Sequence, residues 1–278
     1  MSVSGSAATQ FIEVAGADIA YRMFGAEDGV PLVLTHRFRG TMDHWDPALL
    51  DALACERRII VFDNAGIGAS TGKPADSVPG MAFGAAVFLN ALGFRRVDVL
   101  GWSLGGAVAQ WLAVLHPELV RRLVLGATGP GGVPDTPPTA AQVWPTATKP
   151  VNDDEDFLYL FFPGNAVGRA AGLASLRRLD ARLTASRSTV GPDAVTAQLT
   201  ALRSFSAGAD ALYPRLAEIT APTFVANGFH DVMVPAHEAY VMAKHLPDAQ
   251  LALYPRSGHA FLFQHAELFA GHVLEFLS

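Results

Sequence analysis

Gly101-Trp102-Ser103-Leu104-Gly105 sets a serine among small residues in a G-x-S-x-G spacing, with Gly106 directly after it. Upstream, Arg96-Val97-Asp98-Val99-Leu100 alternates and is rich in valine, the pattern of a strand. Downstream, Gly106 to Leu115 is almost wholly apolar and reads as a buried helix. A serine on a sharp strand-to-helix turn needs small neighbours, because strand and helix nearly collide there. Its hydroxyl then stands above the sheet edge at a helix N-terminus. The amides and dipole of that terminus favour a developing negative charge. The chemistry this suits is nucleophilic attack on a carbonyl.

A serine hydroxyl is a weak nucleophile at neutral pH and needs a base, and the base needs a partner to fix its tautomer. Asn227-Gly228-Phe229-His230-Asp231 directly follows an apolar run, Thr223 to Ala226. Arg256-Ser257-Gly258-His259 directly follows another, Gln250 to Tyr254. Both groups thus fall in loops at the carboxyl ends of expected parallel strands, the edge where ligands bind in open α/β sheets. His259 is the candidate base and Asp231 its orienting acid. An N-cap role for Asp231, ahead of the segment opening at Pro235, stays open beside this one. Asp63 is a rival acid. It precedes a tight turn, Asn64-Ala65-Gly66-Ile67-Gly68, whose amides it is expected to hydrogen-bond.

The elements that must position these residues alternate strand and helix. Thr9–Val14 and Asp18–Phe24 read as a hairpin, and Pro31–Thr35, Arg58–Phe62, Val97–Gly101 and Arg122–Leu125 as further strands. Helices are expected from Pro47 to Ala54, Met81 to Leu92 and Leu104 to His116. From Gly129 to about Pro150 the chain turns rich in proline, glycine and threonine. An acidic stretch, an aromatic cluster at Phe157–Phe162 and helix-like segments follow. Strand and helix resume at Pro222, with helices at Pro235–His245 and Ala266–Leu277. The pattern predicts a mostly parallel central sheet flanked by helices, an α/β fold. Residues 1–129 and 215–278 form the core domain, and 130–214 an inserted helical cap.

With 278 residues, half of them apolar, the chain can bury one large core. A formal charge of −6 argues against nucleic acid or an anionic membrane as the main partner. The single cysteine, Cys55, admits no intramolecular disulfide and reads as a small core hydrophobe. Neither CxxC nor HExxH metal spacing occurs. The first residues lack the basic start and apolar run of a signal peptide, and no run approaches a bilayer span. A cytoplasmic enzyme for a small, largely apolar molecule is the expectation.

Over nearly its whole length the chain resembles the α/β-hydrolase superfamily. The likeness is carried by Leu34-Thr35-His36, Phe62-Asp63-Asn64-Ala65-Gly66-Ile67-Gly68-Ala69-Ser70, Gly101 to Gly106, Asp231 to Pro235 and Gly258-His259. It is greatest to the capped esterase, lactonase and cofactor-free perhydrolase branch. The order Ser103, Asp231, His259 is that fold's order of nucleophile, acid and base. The resemblance implies a serine hydrolase of a carboxylic ester or lactone, with no cofactor or metal. It also implies an oxyanion hole from the amide of Leu104 and that of Phe38 or Arg37. In the family the loop after the third strand usually reads His-Gly; here it is His36-Arg37-Phe38-Arg39-Gly40. Either arginine reaching the pocket would favour substrates with a carboxylate or another electron-rich group. Alternatively both point to solvent or pair with Asp43 or Asp46. Trp102, His36, Arg39, Trp144, Phe161 and His230 are further candidates for substrate contact, and His44-Trp45 is another group within reach. The same triad could cleave a β-diketone carbon–carbon bond or run perhydrolysis or a lyase reaction. From another class, a small-molecule receptor would keep the triad but turn over slowly as its cap moves.

Overall fold

The structure, a computed structural model, describes residues 3–186 and 189–278. After a single helical turn, α1 (Val3–Ser6), eight strands form one sheet. They are β1 (Gln10–Val14), β2 (Ala17–Gly25), β3 (Leu32–Thr35), β4 (Arg58–Phe62), β5 (Val97–Trp102), β6 (Val120–Gly126), β7 (Thr223–Gly228) and β8 (Ala249–Tyr254). Their order is β1-β2-β4-β3-β5-β6-β7-β8. The hairpin β1–β2 and the β2–β4 pair are antiparallel, and every later pairing is parallel. The central strands β3 and β5 are buried along their whole length, as strands covered on both faces must be.

Alternation along these strands divides the core into two apolar layers. Val33, Ile60, Val99, Leu123 and Val225 face one layer, with α3 (Val78–Ala91), α4 (Leu104–Leu115) and α9 (Ala236–His245). Leu34, Ile59, Val61, Leu100 and Phe224 face the other, with α2 (Pro47–Ala54), α10 (Phe261–Gln264) and α11 (Ala266–Leu277). A one-residue slip of any strand would exchange its two faces, so the alternation fixes register.

Local signals account for most boundaries. Asp46 caps α2 through Oδ1, which accepts from the Ala48 amide, with Pro47 opening the helix. Helix α3 begins at Val78 instead of Met81, because the Ser77 hydroxyl accepts from the Gly80 amide and Pro79 is tolerated in the first turn. Cys55 corrects the expectation of a core position. It ends α2 on the exposed side, its thiol donating back to the Asp51 carbonyl.

Between β6 and β7 the chain leaves the sheet for α5 (Val143–Ala147), α6 (Asp154–Phe161), α7 (Ala166–Ser186) and α8 (Pro192–Ser206). Helix α5 lies in the proline-rich stretch that reads as irregular in the sequence. Arginine side chains are prominent among the ties that bind this insertion to the rest of the chain. Arg178 on α7 makes a two-pronged ion pair with buried Asp46, which also accepts from Ser175. Arg182 joins Arg22 on buried Asp43. Arg39 donates to the carbonyls of Ala147, Lys149 and Pro150 and to Asn152 Oδ1. Among the described residues, no helix is long and apolar enough to cross a membrane.

Candidate active site

Ser103 joins β5 to α4 with φ 58° and ψ −122°, a conformation that non-glycine residues adopt only under strain. The surroundings hold it there. Its amide donates to the Gly126 carbonyl on the neighbouring strand, and its carbonyl accepts from the Gly106 and Ala107 amides. The flanking glycines are steric requirements. A Cβ on Gly105 would lie 2.0 Å from the Thr35 carbonyl oxygen, and one on Gly101 2.5 Å from that of Gly105. Thr35 secures the contact from its side by donating to the Gly105 carbonyl.

His259 sits in the loop between β8 and α10, fully buried. Its ring lies against Trp102 and Phe161, with centroids 5.9 and 5.7 Å away. Trp102 also donates its indole N–H to the His259 carbonyl, fixing backbone and ring from one residue. Nδ1 lies 2.8 Å from Asp231 Oδ2. A carboxylate only accepts, so Nδ1 carries the proton and Nε2 presents its lone pair. Nε2 is enclosed and makes no hydrogen bond, including none to Ser103. Contacts of this kind commonly tighten only once substrate is bound.

Asp231 does two jobs with two oxygens. Oδ1 accepts from the Met233 and Val234 amides, closing the turn that leads to α9, while Oδ2 faces His259. Asp231 is therefore not the N-cap of α9, which is Pro235 with no side-chain bond; its second contact closes the turn before the helix, while Oδ2 pairs with His259. The two loops are joined directly, since the His230 amide donates to the Ser257 carbonyl. The insertion reaches this point too, where the Ala260 amide donates to the Phe161 carbonyl at the end of α6.

Ser103 and His259 line a common cavity of about 510 Å³, walled by Phe38, Phe157, Phe161 and Leu176 among others. The 36–44 loop forms its second side. Asp63 braces that loop, accepting from Met42 through Oδ1 and from Ala69 through Oδ2. The carboxylate thus takes the amide of Ala69, one residue past the expected Asn64–Gly68 turn, and that of Met42 in place of amides within the turn. Burial pushes the Asp63 carboxyl up to about 6, against the pull of those two amides. The Arg39 amide is taken by Gln198 of α8, whereas no loop hydrogen bond engages the amides of Arg37, Phe38 or Leu104.

The remaining sequence candidates separate. Phe161, Arg39 and His44 line the cavity; Trp102, His36, Trp144 and His230 do not. Trp102 is buried behind His259 and supports it. His36 is buried under the loop, where burial and the Arg37 charge push its pKa down to about 4. Trp144 is exposed and packs edgewise on Phe38. His230 faces a separate surface cleft with Tyr159 and Arg169, because the turn that aims Asp231 inward sends its neighbour outward. Neither Arg37 nor Arg39 pairs with Asp43 or Asp46, whose oxygens are held by Arg22, Arg178, Arg182 and Ser175. Met233, Leu176 and Gln198 are contributors the sequence did not single out. Met233 is two residues past Asp231, a nearness that could have flagged it. The other two lie on helices whose pattern gives no such sign.

Glu238 on α9 is a further carboxyl beside Asp231. Burial raises its pKa to about 7, with the Asp231 charge adding to the effect. Its folded pKa thus lies above the ordinary value, so ionising it costs stability. The cost is absent below about pH 4.5, grows as pH rises, and is complete above pH 7. Glu238→Gln removes it. The variant is expected to gain about 2 kcal/mol, roughly 5 °C in Tm, at pH 8 and almost nothing at pH 4.5. Thermal unfolding at the two pH values checks this; an equal shift at both would mean that packing, not charge, is responsible.

Residues 30–266 match the family model described as alpha/beta hydrolase fold. The chain belongs to the α/β-hydrolase family. A solved α/β-hydrolase fold protein from Chitinophaga pinensis superposes with a TM-score of 0.89 at 36% identity, covering 99% of each chain. A 2-hydroxymuconate semialdehyde hydrolase from Pseudomonas putida is 32% identical over 80% of this chain and 77% of its own length. A pimeloyl-acyl-carrier-protein methyl ester esterase from Nitrosomonas europaea is 32% identical over 87% and 93%. The protein is a hydrolase of this family.

Proposed function

We propose that the protein hydrolyses a small to medium carboxylic ester or lactone through an acyl-enzyme, with Ser103 as nucleophile, His259 as base and Asp231 as its orienting acid. The observation that carries this is the Nδ1–Oδ2 bond of 2.8 Å, which leaves the buried Nε2 lone pair in the cavity that Ser103 also lines. Ser103 Oγ bonds to the substrate carbonyl carbon as its proton passes to Nε2. The tetrahedral intermediate collapses, the C–O bond to the alkoxide breaks, and the imidazolium returns the proton to that alkoxide. Water repeats the sequence on the acyl-enzyme and releases the acid and Ser103. The amides of Leu104 and of Phe38 or Arg37 receive the oxyanion, each worth roughly 3 kcal/mol in the transition state. This scheme asks for no cofactor.

Residues 130–214 serve as the cap, and their contacts favour an enzyme over a receptor whose cap swings to recruit a partner. Arg178 and Arg39 anchor the segment, and Phe161 is bonded to the loop of the base itself. A fluorophosphonate probe tests the scheme, with peptide mass spectrometry locating the adduct. Labelling of the wild type at Ser103, absent in Ser103→Ala and strongly slowed in His259→Ala, is expected. A wild type that stays unlabelled while small esters are also left intact would overturn the reading.

A further inference from the structure

Arg37 stands where a glycine is usual in the family, and its surroundings make it unlike the other arginines of the insertion and its contacts. Arg22, Arg178 and Arg182 each meet a carboxylate, and Arg39 is spent on three carbonyls and an amide oxygen of the insertion. Among the described residues, no carboxylate lies within ion-pairing distance of Arg37. Its side chain makes one hydrogen bond, from Nη1 to the Phe38 carbonyl, and its Nε is enclosed with no acceptor. The flat face of the guanidinium is occupied, with Cζ 4.8 Å from the Phe161 ring and 5.7 Å from Trp102. Those are the two rings that hold His259.

The electrostatic setting is one-sided. Arg39 adds a second positive charge. His36 and His44 are kept neutral by burial and by these cations. Burial together with Arg39 lowers the Arg37 pKa to about 9, which still leaves it charged at neutral pH. The carboxylates on the cavity wall, Asp153, Asp154 and Asp180, belong to the insertion and are exposed to solvent. A half-buried cation with an enclosed, unfilled Nε and no counter-charge is costly. Such a group persists where a ligand completes it, and a planar fork of N–H donors matches a carboxylate.

We propose that Arg37 is an anion subsite of the catalytic cavity and that the substrate carries a free carboxylate on its acyl side, as in monoesters of short dicarboxylic acids. This rests on the hydrolase reading above and sharpens it. The leaving oxygen has to face His259 to receive its proton. Arg37 belongs to the loop that faces the carbonyl oxygen, so the charge that it holds falls on the acyl side. The cation–π contacts to Phe161 and Trp102 keep the fork from folding away into solvent.

The test pairs two p-nitrophenyl esters of similar length, the hemiglutarate (anionic) and the valerate (neutral). The readout is the ratio of their kcat/KM values, which a general disturbance of the loop leaves unchanged. The wild type is expected to favour the hemiglutarate. Arg37→Gln should lower the ratio about 30-fold, and Arg37→Lys, which keeps charge but not the fork, by a smaller factor. Binding is read separately on Ser103→Ala, as the rise in unfolding midpoint caused by monomethyl glutarate. Adding Arg37→Gln should abolish that rise, and methyl valerate should give none. A ratio that Arg37→Gln leaves unchanged, or a wild type that favours valerate, overturns the subsite. If neither ester is cleaved, the hydrolase reading fails; the binding shift then still decides whether Arg37 holds an anion.

Discussion

Ser103→Ala and His259→Ala should each lower kcat for the best ester by about 10⁵-fold, and the double variant should fall no further. The reason is that the two groups act as one device. At neutral pH an alcohol attacks a carbonyl only as its proton leaves, and the unpartnered Nε2 of His259, a residue that lines the same cavity, is the acceptor the scheme assigns. Without His259, Ser103 is an ordinary alcohol. Without Ser103, the base has nothing positioned to deprotonate except stray water. What survives in every variant is the contribution of the proposed oxyanion amides and of substrate binding. These depend on the backbone of the 36–40 loop and of α4, which neither substitution touches. Steady-state kinetics on the two single variants and the double checks this. A double variant a further 10³-fold slower than either single would mean that the residues act independently, and the shared mechanism would fall.

The elbow was legible because its chemistry and its sterics write the same residues. The proposed nucleophile is a serine, while the approach of β5 to α4 forces glycine at 101 and that of the Thr35 carbonyl on β3 forces it at 105. The sheet was legible for a related reason: strands buried on both faces, such as Arg58–Phe62, show as unbroken apolar runs. The fate of the two loop arginines was not legible. Arg37 and Arg39 are two residues apart in one loop and both line the cavity, yet one keeps an unfilled Nε and the other crosses to bond the insertion. That outcome depends on a positive φ of 54° at Arg39 and on Gln198, a residue 159 positions away. The same limit applied to Trp102, whose place beside Ser103 was compatible with either the pocket wall or the core. As the last residue of β5 it faces away from the cavity, toward the back of His259, and only the fold of the β8–α10 loop reveals that. Long-range polar contacts of this kind leave no periodic trace in the chain.

Asp231→Asn is expected to cost about 10⁴-fold in kcat with little change in Tm, and the direction follows from where each oxygen points. Oδ1 faces two N–H donors, those of Met233 and Val234, and Oδ2 faces one, His259 Nδ1. An asparagine placed here keeps its oxygen toward the two backbone donors, since its NH₂ cannot accept from them. Its NH₂ therefore faces Nδ1, which must then accept, and the imidazole proton is driven to Nε2. The base presents a proton to Ser103 where it should present a lone pair. The turn survives because its amides remain satisfied, so the protein stays folded while the tautomer is wrong. Asp231→Ala differs in a diagnostic way: it leaves two part-buried amides without their acceptor and should lose stability as well as activity. Comparing the two variants by kcat and by thermal unfolding separates orientation of the base from support of the turn. If Asp231→Asn keeps a tenth or more of wild-type activity, the orienting acid is another carboxyl. Glu238, half-buried beside Asp231 on α9, would then be the group to substitute next.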